Sequence, residues 1–253
     1  HTKATMSSLS EANTKFALDL FQQLRKSKDN VFYSPFSITA ALAMVHLGAR
    51  GSTAEEIEKV LHFNEITAKS TEKTKTDQVE KPGSVHHQFQ KLLTELNKPK
   101  DKYELTSANK AYKEKCFPFL QEYVDAIKKF YLADVESVDF VNEAEESRKK
   151  INTWVEKETQ GKIKDLFPTG SLKNNTVLVL VNAIYFKGQW DLKFEEENTV
   201  EGKFWLNKDM SKSVKMMEQT NHLKFASLEA VQAKILEIPY EGNALSMVVL
   251  LPD

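Results

Sequence analysis

The stretch from Thr176 to Phe186 reads Thr-Val-Leu-Val-Leu-Val-Asn-Ala-Ile-Tyr-Phe. β-branched and aromatic residues dominate it, so it is predicted as a strand, and it is too apolar for one face to meet water. We therefore expect a buried central strand. One residue breaks the run: Asn182. A buried amide without partners costs on the order of 1–3 kcal/mol, so something must hydrogen-bond it. It is either a satisfied polar group of the core or a polar switch beneath a strand that must part from its neighbour.

The rest of the chain sets that strand in an α+β pattern, with helices first and strands later. Leu9, Ala12, Phe16, Leu20 and Leu24 recur at helical spacing after a Ser8-x-x-Glu11 capping box. Val31 to Tyr33 reads as a short strand. Ser34 and Pro35 then suit the N-cap and first position of a helix. That helix, Ile38 to Leu47, is apolar on nearly every face and is predicted to be buried. Thr53-x-x-Glu56 reads as the cap of the next. Residues 64–84 form a long polar interhelical loop that cannot bury enough apolar surface to offset ordering, and it is expected to be mobile. Val85, Phe89, Leu92, Leu93 and Leu96 mark another helical face. A strand over Tyr103 to Tyr112, a helix opened by Pro118 and a strand over Val135 to Phe140 follow. Glu143 to Gln160 is a surface helix with a narrow seam of Ile151, Trp154 and Val155, stopped by Gly161. After Trp190 come short strands at 204–205, 213–217, 223–226, 231–238 and 245–251. The last ends abruptly, as the end of a fragment would.

Several kinds of chemistry are excluded by what is missing. The 35 basic and 36 acidic residues nearly cancel, leaving a net charge of -1 and no field suited to nucleic acid or an anionic membrane. No apolar run approaches the roughly 20 residues that cross a bilayer, so a soluble protein is expected. Cys116 is the single cysteine; it is read as structural, and no intrachain disulfide can form, which fits a reducing compartment. No apolar signal segment precedes Met6, which reads as a natural start, with His1 to Thr5 a remnant of expression cloning. There is no glycine-rich phosphate loop. His86 and His87 are adjacent and point to different helix faces, and no H-E-x-x-H occurs, so no metal is expected. Gly170-Ser171 lacks a nucleophile elbow, and Glu195 to Glu197 reads as a solvated face. Lys98, Lys100 and Lys102 read as surface charge. Asn174-Asn175-Thr176 is a sequon that matters only in the secretory pathway. We expect no cofactor, no metal and no enzyme.

Four segments in register make the chain recognisable: Phe32-Tyr-Ser-Pro-Phe-Ser-Ile-Thr-Ala-Ala-Leu42, Leu47-Gly-Ala-Arg-Gly-Ser-Thr53, Asn182-Ala-Ile-Tyr-Phe-Lys-Gly-Gln-Trp190 and Leu250-Leu-Pro252. Together they resemble the serpins. The absent signal segment and the 64–84 loop resemble the ovalbumin-type intracellular branch, clade B. Leu9 to Phe16, His86 to Leu93 and Glu145 to Asn152 look most like the squamous cell carcinoma antigens. The resemblance implies the serpin fold of three β-sheets with eight to nine surrounding helices. Residues 6–253 would be the N-terminal portion of a single such domain, holding the helices, part of the large sheet and the first strands of the other two. It implies a peptidase inhibitor acting as a suicide substrate, whose reactive loop inserts into the large sheet after cleavage. Thr176 to Phe186 would be one wall of the slot that opens. Ser34, Ser37 and Asn182 would form a shutter, Trp190 would mark the breach where insertion begins, and the helix 143–160 would yield. The reactive bond would lie beyond Asp253. The partner implied is a target peptidase, either cathepsin-like cysteine or chymotrypsin-like serine, with no nucleic acid, no membrane and a monomeric protein. Its location would be cytoplasmic or nuclear, or outside the cell by release without a signal peptide. A non-inhibitory binding, chaperone or signalling protein on the same fold is the alternative.

Overall fold

The computed structural model describes residues 2–67 and 84–253, with side chains from Ser8 to Ile66 and from Ser84 onward. It divides into two compact units, one of residues 1–98 and 105–185, the other of 99–104 and 186–253.

The first unit is layered around a three-stranded sheet. Strand β1 (Tyr103–Glu114) lies between β2 (Asp134–Val138) and β3 (Leu178–Gly188). β1 and β2 are parallel, in register from Lys110 opposite Asp134 to Glu114 opposite Val138. Side chains alternate across a strand, so neighbouring residues enter different layers. Ala111, Leu178 and Leu180 join a helical core built from α1 (Thr2–Leu24), α2 (Pro35–Gly48), α4 (Phe63–Thr67), α5 (Val85–Leu96) and α6 (Gln121–Tyr131), with α3 (Gly51–Val60) beside it. Tyr112, Val179 and Val181 join the opposite core, under α7 (Phe140–Glu158).

That double cover explains the apolar run. Strands packed on both faces have no solvent side, and residues 178–183 accordingly turn apolar groups both ways. The position is not the expected one, however: among the described residues β3 is an outer strand, not a central one. α2 follows the same logic. Ala40, Ala43 and Met44 have no accessible surface, because the helix is enclosed on nearly every side.

α7 is fastened at both ends. The Glu114 carboxylate on β1 accepts from the N–H of Phe140 at 2.7 Å, and Asp139 accepts from the N–H of Asn142 at 2.9 Å. Glu114 also accepts from the Cys116 N–H at 2.7 Å; that bond and those from Phe140 and Val141 hold its carboxyl below the usual carboxylate range. Beyond α7, the Asn152 amide treats Phe167 as a strand would: it accepts from the Phe167 N–H and donates to its carbonyl, each at 2.9 Å. The backbone leaves helical dihedrals at Glu143, the residue where the sequence places the start of this helix.

Other sequence readings need correction. α1 begins at Thr2, so Ser8 lies inside it and not at its start, and Thr53 likewise lies inside α3. Val31 to Tyr33 forms no strand, and the Phe32 side chain is fully exposed. The polar segment 64–84 starts within α4, where Ile66 is buried; 68–83 lies outside the described residues. Cys116, read as structural, is exposed.

In the second unit, β4 (Val200–Trp205) pairs antiparallel with β5 (Ser211–Met216). β6 (Lys224–Leu228), β7 (Ala233–Pro239) and β8 (Ser246–Pro252) form a second antiparallel sheet in that order. Four of them match the strands read from the sequence to within two residues, and β4 begins four residues before the expected 204–205. The described residues thus hold three sheets, with helices gathered in the first unit, as the α+β reading requires.

Candidate functional site

Asn182 follows Leu178 and Leu180 along the helix-facing side of β3, and three partners meet it there. Its Oδ1 accepts from the Ser37 hydroxyl at 2.5 Å. Its Nδ2 donates to Ser107 Oγ at 3.0 Å and to Asn109 Oδ1 at 2.8 Å. Asn109 in turn donates to the carbonyl of Tyr131, at the end of α6, at 2.9 Å. Ser107 is fixed from behind by Asn97, which accepts from its N–H at 2.8 Å and donates to its carbonyl at 2.9 Å. The cluster therefore ties β3 to its neighbour β1 and to α2. Of the two readings of Asn182, the amide is satisfied, and its partners belong to other elements.

Ser37 reaches this position because α2 starts as the sequence indicates. Pro35 opens the helix, and Ser34 Oγ accepts from the Ser37 N–H at 3.2 Å. Ser34 thus aims Ser37 without touching Asn182: of the three residues Ser34, Ser37 and Asn182, the structure pairs the last two and leaves Ser34 one step behind. Ser107 and Asn109 were missed by the sequence reading. Both are buried, 3% and 4% exposed. Two small polar residues two apart share one face of a strand, but in a segment this polar nothing marks that face as the buried one.

The cluster holds only amides and hydroxyls. It has no nucleophile activated by a base and no group that titrates near neutral pH, so its capacity is to hold two strands and a helix together until three hydrogen bonds break.

Trp190, in the second unit, sits in a different setting. Its ring stacks on Tyr240 with centroids 4.5 Å apart and planes 9° from parallel. Trp190 and Tyr240 also form an isolated β-bridge, flanked by bonds from Asp191 N–H to the Pro239 carbonyl and from Glu241 N–H to the Gln189 carbonyl. Phe186 meets Tyr240 edge-on at 4.9 Å. Gly188 is required here. A Cβ on it would lie 2.9 Å from both Phe186 and Tyr240.

Among the described residues, no group of three or more His, Cys, Asp or Glu side chains could hold a metal ion. No described helix is long and apolar enough to cross a membrane.

Comparison with known proteins bears on this geometry. The family model "Serpin (serine protease inhibitor)" matches residues 11–253. Serpin B4 and Serpin B3 of Homo sapiens are 65% and 64% identical over 249 residues, covering 98% of this chain and 64% of each relative. The leukocyte elastase inhibitor of Homo sapiens is 46% identical over 250 residues, covering 98% of this chain and 62% of that protein. Among solved structures, ovalbumin from emu (Dromaius novaehollandiae) superposes with a TM-score of 0.90 at 41% identity, over 97% of this chain and 63% of ovalbumin. The chain thus spans about 64% of the length of the two curated relatives Serpin B4 and Serpin B3.

Proposed function

The chain belongs to the serpin family, in the ovalbumin-type clade B branch with the squamous cell carcinoma antigens, and from that premise we propose that the whole protein is a peptidase inhibitor acting as a suicide substrate. A target serine or papain-like cysteine peptidase cleaves an exposed loop and is acylated. The loop then enters the sheet beside β3 and carries the peptidase with it, so that the acyl-enzyme is distorted and trapped. Such a mechanism draws on a metastable native state.

The observation that carries this reading is the clasp at Asn182. A strand that must separate from a neighbour and later re-close benefits from a discrete, fully bonded polar lock in place of continuous apolar packing, because hydrogen bonds break and re-form at defined geometry. On this reading Ser37 and Asn182, with Ser107 and Asn109, form the shutter; Ser34 positions Ser37. Trp190 on Tyr240 marks the breach, and α7 must shift as the new strand enters. The protein acts in the cytoplasm as a monomer. That one relative is named as an inhibitor of leukocyte elastase supports a serine-peptidase target.

The test uses the full-length protein mixed with papain-like and chymotrypsin-like peptidases and resolved on denaturing gels. A band near the summed masses is expected with at least one of them. Plain cleavage across the whole panel, with no such band, would favour the non-inhibitory binding, chaperone or signalling role instead.

A further inference from the structure

Tyr131, whose carbonyl receives Asn109, also carries a second string of polar contacts on its side chain. Its hydroxyl lies 2.7 Å from His86 Nδ1, His86 Nε2 lies 3.2 Å from His46 Nδ1, and His46 Nε2 lies 2.7 Å from Glu58 Oε1. The string joins α6, α5, α2 and α3. The two imidazoles stack with centroids 5.2 Å apart. Phe63 closes on His46 edge-on, and Phe130 and Tyr131 close on His86. His86 is 3% exposed, whereas the Glu58 side chain, at 33%, meets water. Protons therefore enter and leave at the Glu58 end.

The direction of the string follows from its ends. A carboxylate only accepts, so His46 must carry its proton on Nε2 and offer Nδ1 as an acceptor. His86 must then donate from Nε2 and accept at Nδ1 from the Tyr131 hydroxyl. Burial holds that hydroxyl protonated, with its pKa well above the ordinary value. Every polar atom in the string is satisfied, in a single direction, only while both rings are neutral.

We propose that the His46–His86 pair is a proton-operated latch, which in its neutral form binds α5 to α2 and α6 and steadies the Asn182 cluster through Tyr131. A proton added at His46 sets its Nδ1–H against the Nε2–H of His86. The conflict clears only if His86 shifts its own proton to Nδ1, which then faces the Tyr131 O–H. The hydroxyl must swing away from its acceptor, and the fault arrives at the residue whose carbonyl holds Asn109. A proton placed on His86 reaches the same end directly. Glu58 on α3 is the one anion bonded to the pair among the described residues. His87, on the same helix and packed on Phe130 at 4.9 Å, is a further titratable neighbour, and it opposes a charge on His86. Burial, followed by His46 and His87, pushes His86 down to about 3, in keeping with a ring that resists protonation in place. The latch is a property of the fold and stands whether or not the protein inhibits a peptidase.

The test is amide hydrogen exchange of the full-length protein at about pH 7.5 and about pH 5.5, corrected for intrinsic rates, since histidine titrates between them. Exchange across 85–96 should rise about tenfold on acidification while 233–252 stays unchanged. His86→Phe should abolish the rise. Tyr131→Phe should exchange faster at both pH values, with no difference between them, because the hydroxyl that carries the conflict is gone. Equal exchange of 85–96 at both pH values in the parent, or an undiminished rise in His86→Phe, would overturn the latch. A measurement free of any variant is the ring-nitrogen spectrum of histidine-labelled protein near neutral pH. Both rings should carry the proton on Nε2, and a proton on Nδ1 of either ring would equally refute the proposal.

Discussion

Asn182 spends both of its amide hydrogens on β1 and its oxygen on α2, so one side chain spans three elements. Replacing it with leucine keeps the volume but strands the Ser37 hydroxyl, Ser107 and Asn109. The expected loss is about 1–3 kcal/mol, which at this size lowers the thermal midpoint by about 2–4 °C for each kcal/mol. In the full-length protein the variant should also accumulate polymers or a loop-inserted form on mild heating. A variant that melts with the parent and stays monomeric would make Asn182 an ordinary core residue. Ser34→Ala is the comparison: it removes a helix cap at a cost of about 1 kcal/mol and acts on the clasp only through the aim of Ser37, so it should ease sheet opening less than the leucine variant does. Asn182 was legible in the sequence because a lone amide stands out in an apolar run. Ser107 and Asn109 were not, because their neighbours Thr106, Lys110 and Lys113 make the segment polar throughout, and burial cannot be read from a mixed segment.

Elements were legible where a pattern had a single physical meaning. Ser34 does cap its helix, accepting from the N–H three residues on. Ser8 and Thr53 do not, because Ser/Thr-x-x-Glu also fits the exposed face of a helix already under way. The 31–33 segment has the composition of a strand, but strand propensity expresses itself only against a partner, and none of the described residues offers one. Between α7 and the sheet, the Tyr112 hydroxyl is fully buried with no hydrogen-bond partner among the described residues. Its ring packs between Val138, Ile151 and Val181 in the core under α7, and phenylalanine would keep that packing. Tyr112→Phe should therefore be neutral or stabilise by about 1 kcal/mol, since removing an orphaned hydroxyl costs nothing. A midpoint lowered by more than that equivalent in thermal melts would mean the hydroxyl has a partner under α7.

For the molecule as a whole, two histidines act on stability in opposite senses. His86 falls from the usual 6.5 to about 3 on burial, so its contribution is intact above 6.5 and is lost as pH falls below it, where the unfolded chain takes a proton that the folded chain refuses. The loss at pH 5 is about 2 kcal/mol. His62 is raised, chiefly by its bond to Asp19, so its contribution is present below 6.5 and fades as pH rises through its raised value. Glu114 and Asp139 are lowered by backbone N–H bonds and weaken the fold only as pH falls through their own depressed values. Acid destabilisation should thus begin between pH 7 and 5, above the carboxylate range. Melts of His86→Phe should show a flatter slope there; an unchanged slope would assign the effect elsewhere. The family, the layers and the clasp's central residue were visible from residues alone. The outer place of β3 was not, because an apolar run reports cover on two faces and says nothing about neighbours at the edges. Finally, the Asn152 amide that stands in for a strand opposite Phe167 makes α7 and the chain leading into β3 one mechanical part. Tension applied at the start of β3 reaches the helix as shear across the two Asn152 bonds, a third from Arg148 to the same Phe167 carbonyl and a fourth from the Gly170 N–H to Glu145, so that several bonds must fail together. The connection therefore behaves as a lever with a breaking load rather than as a slack tether.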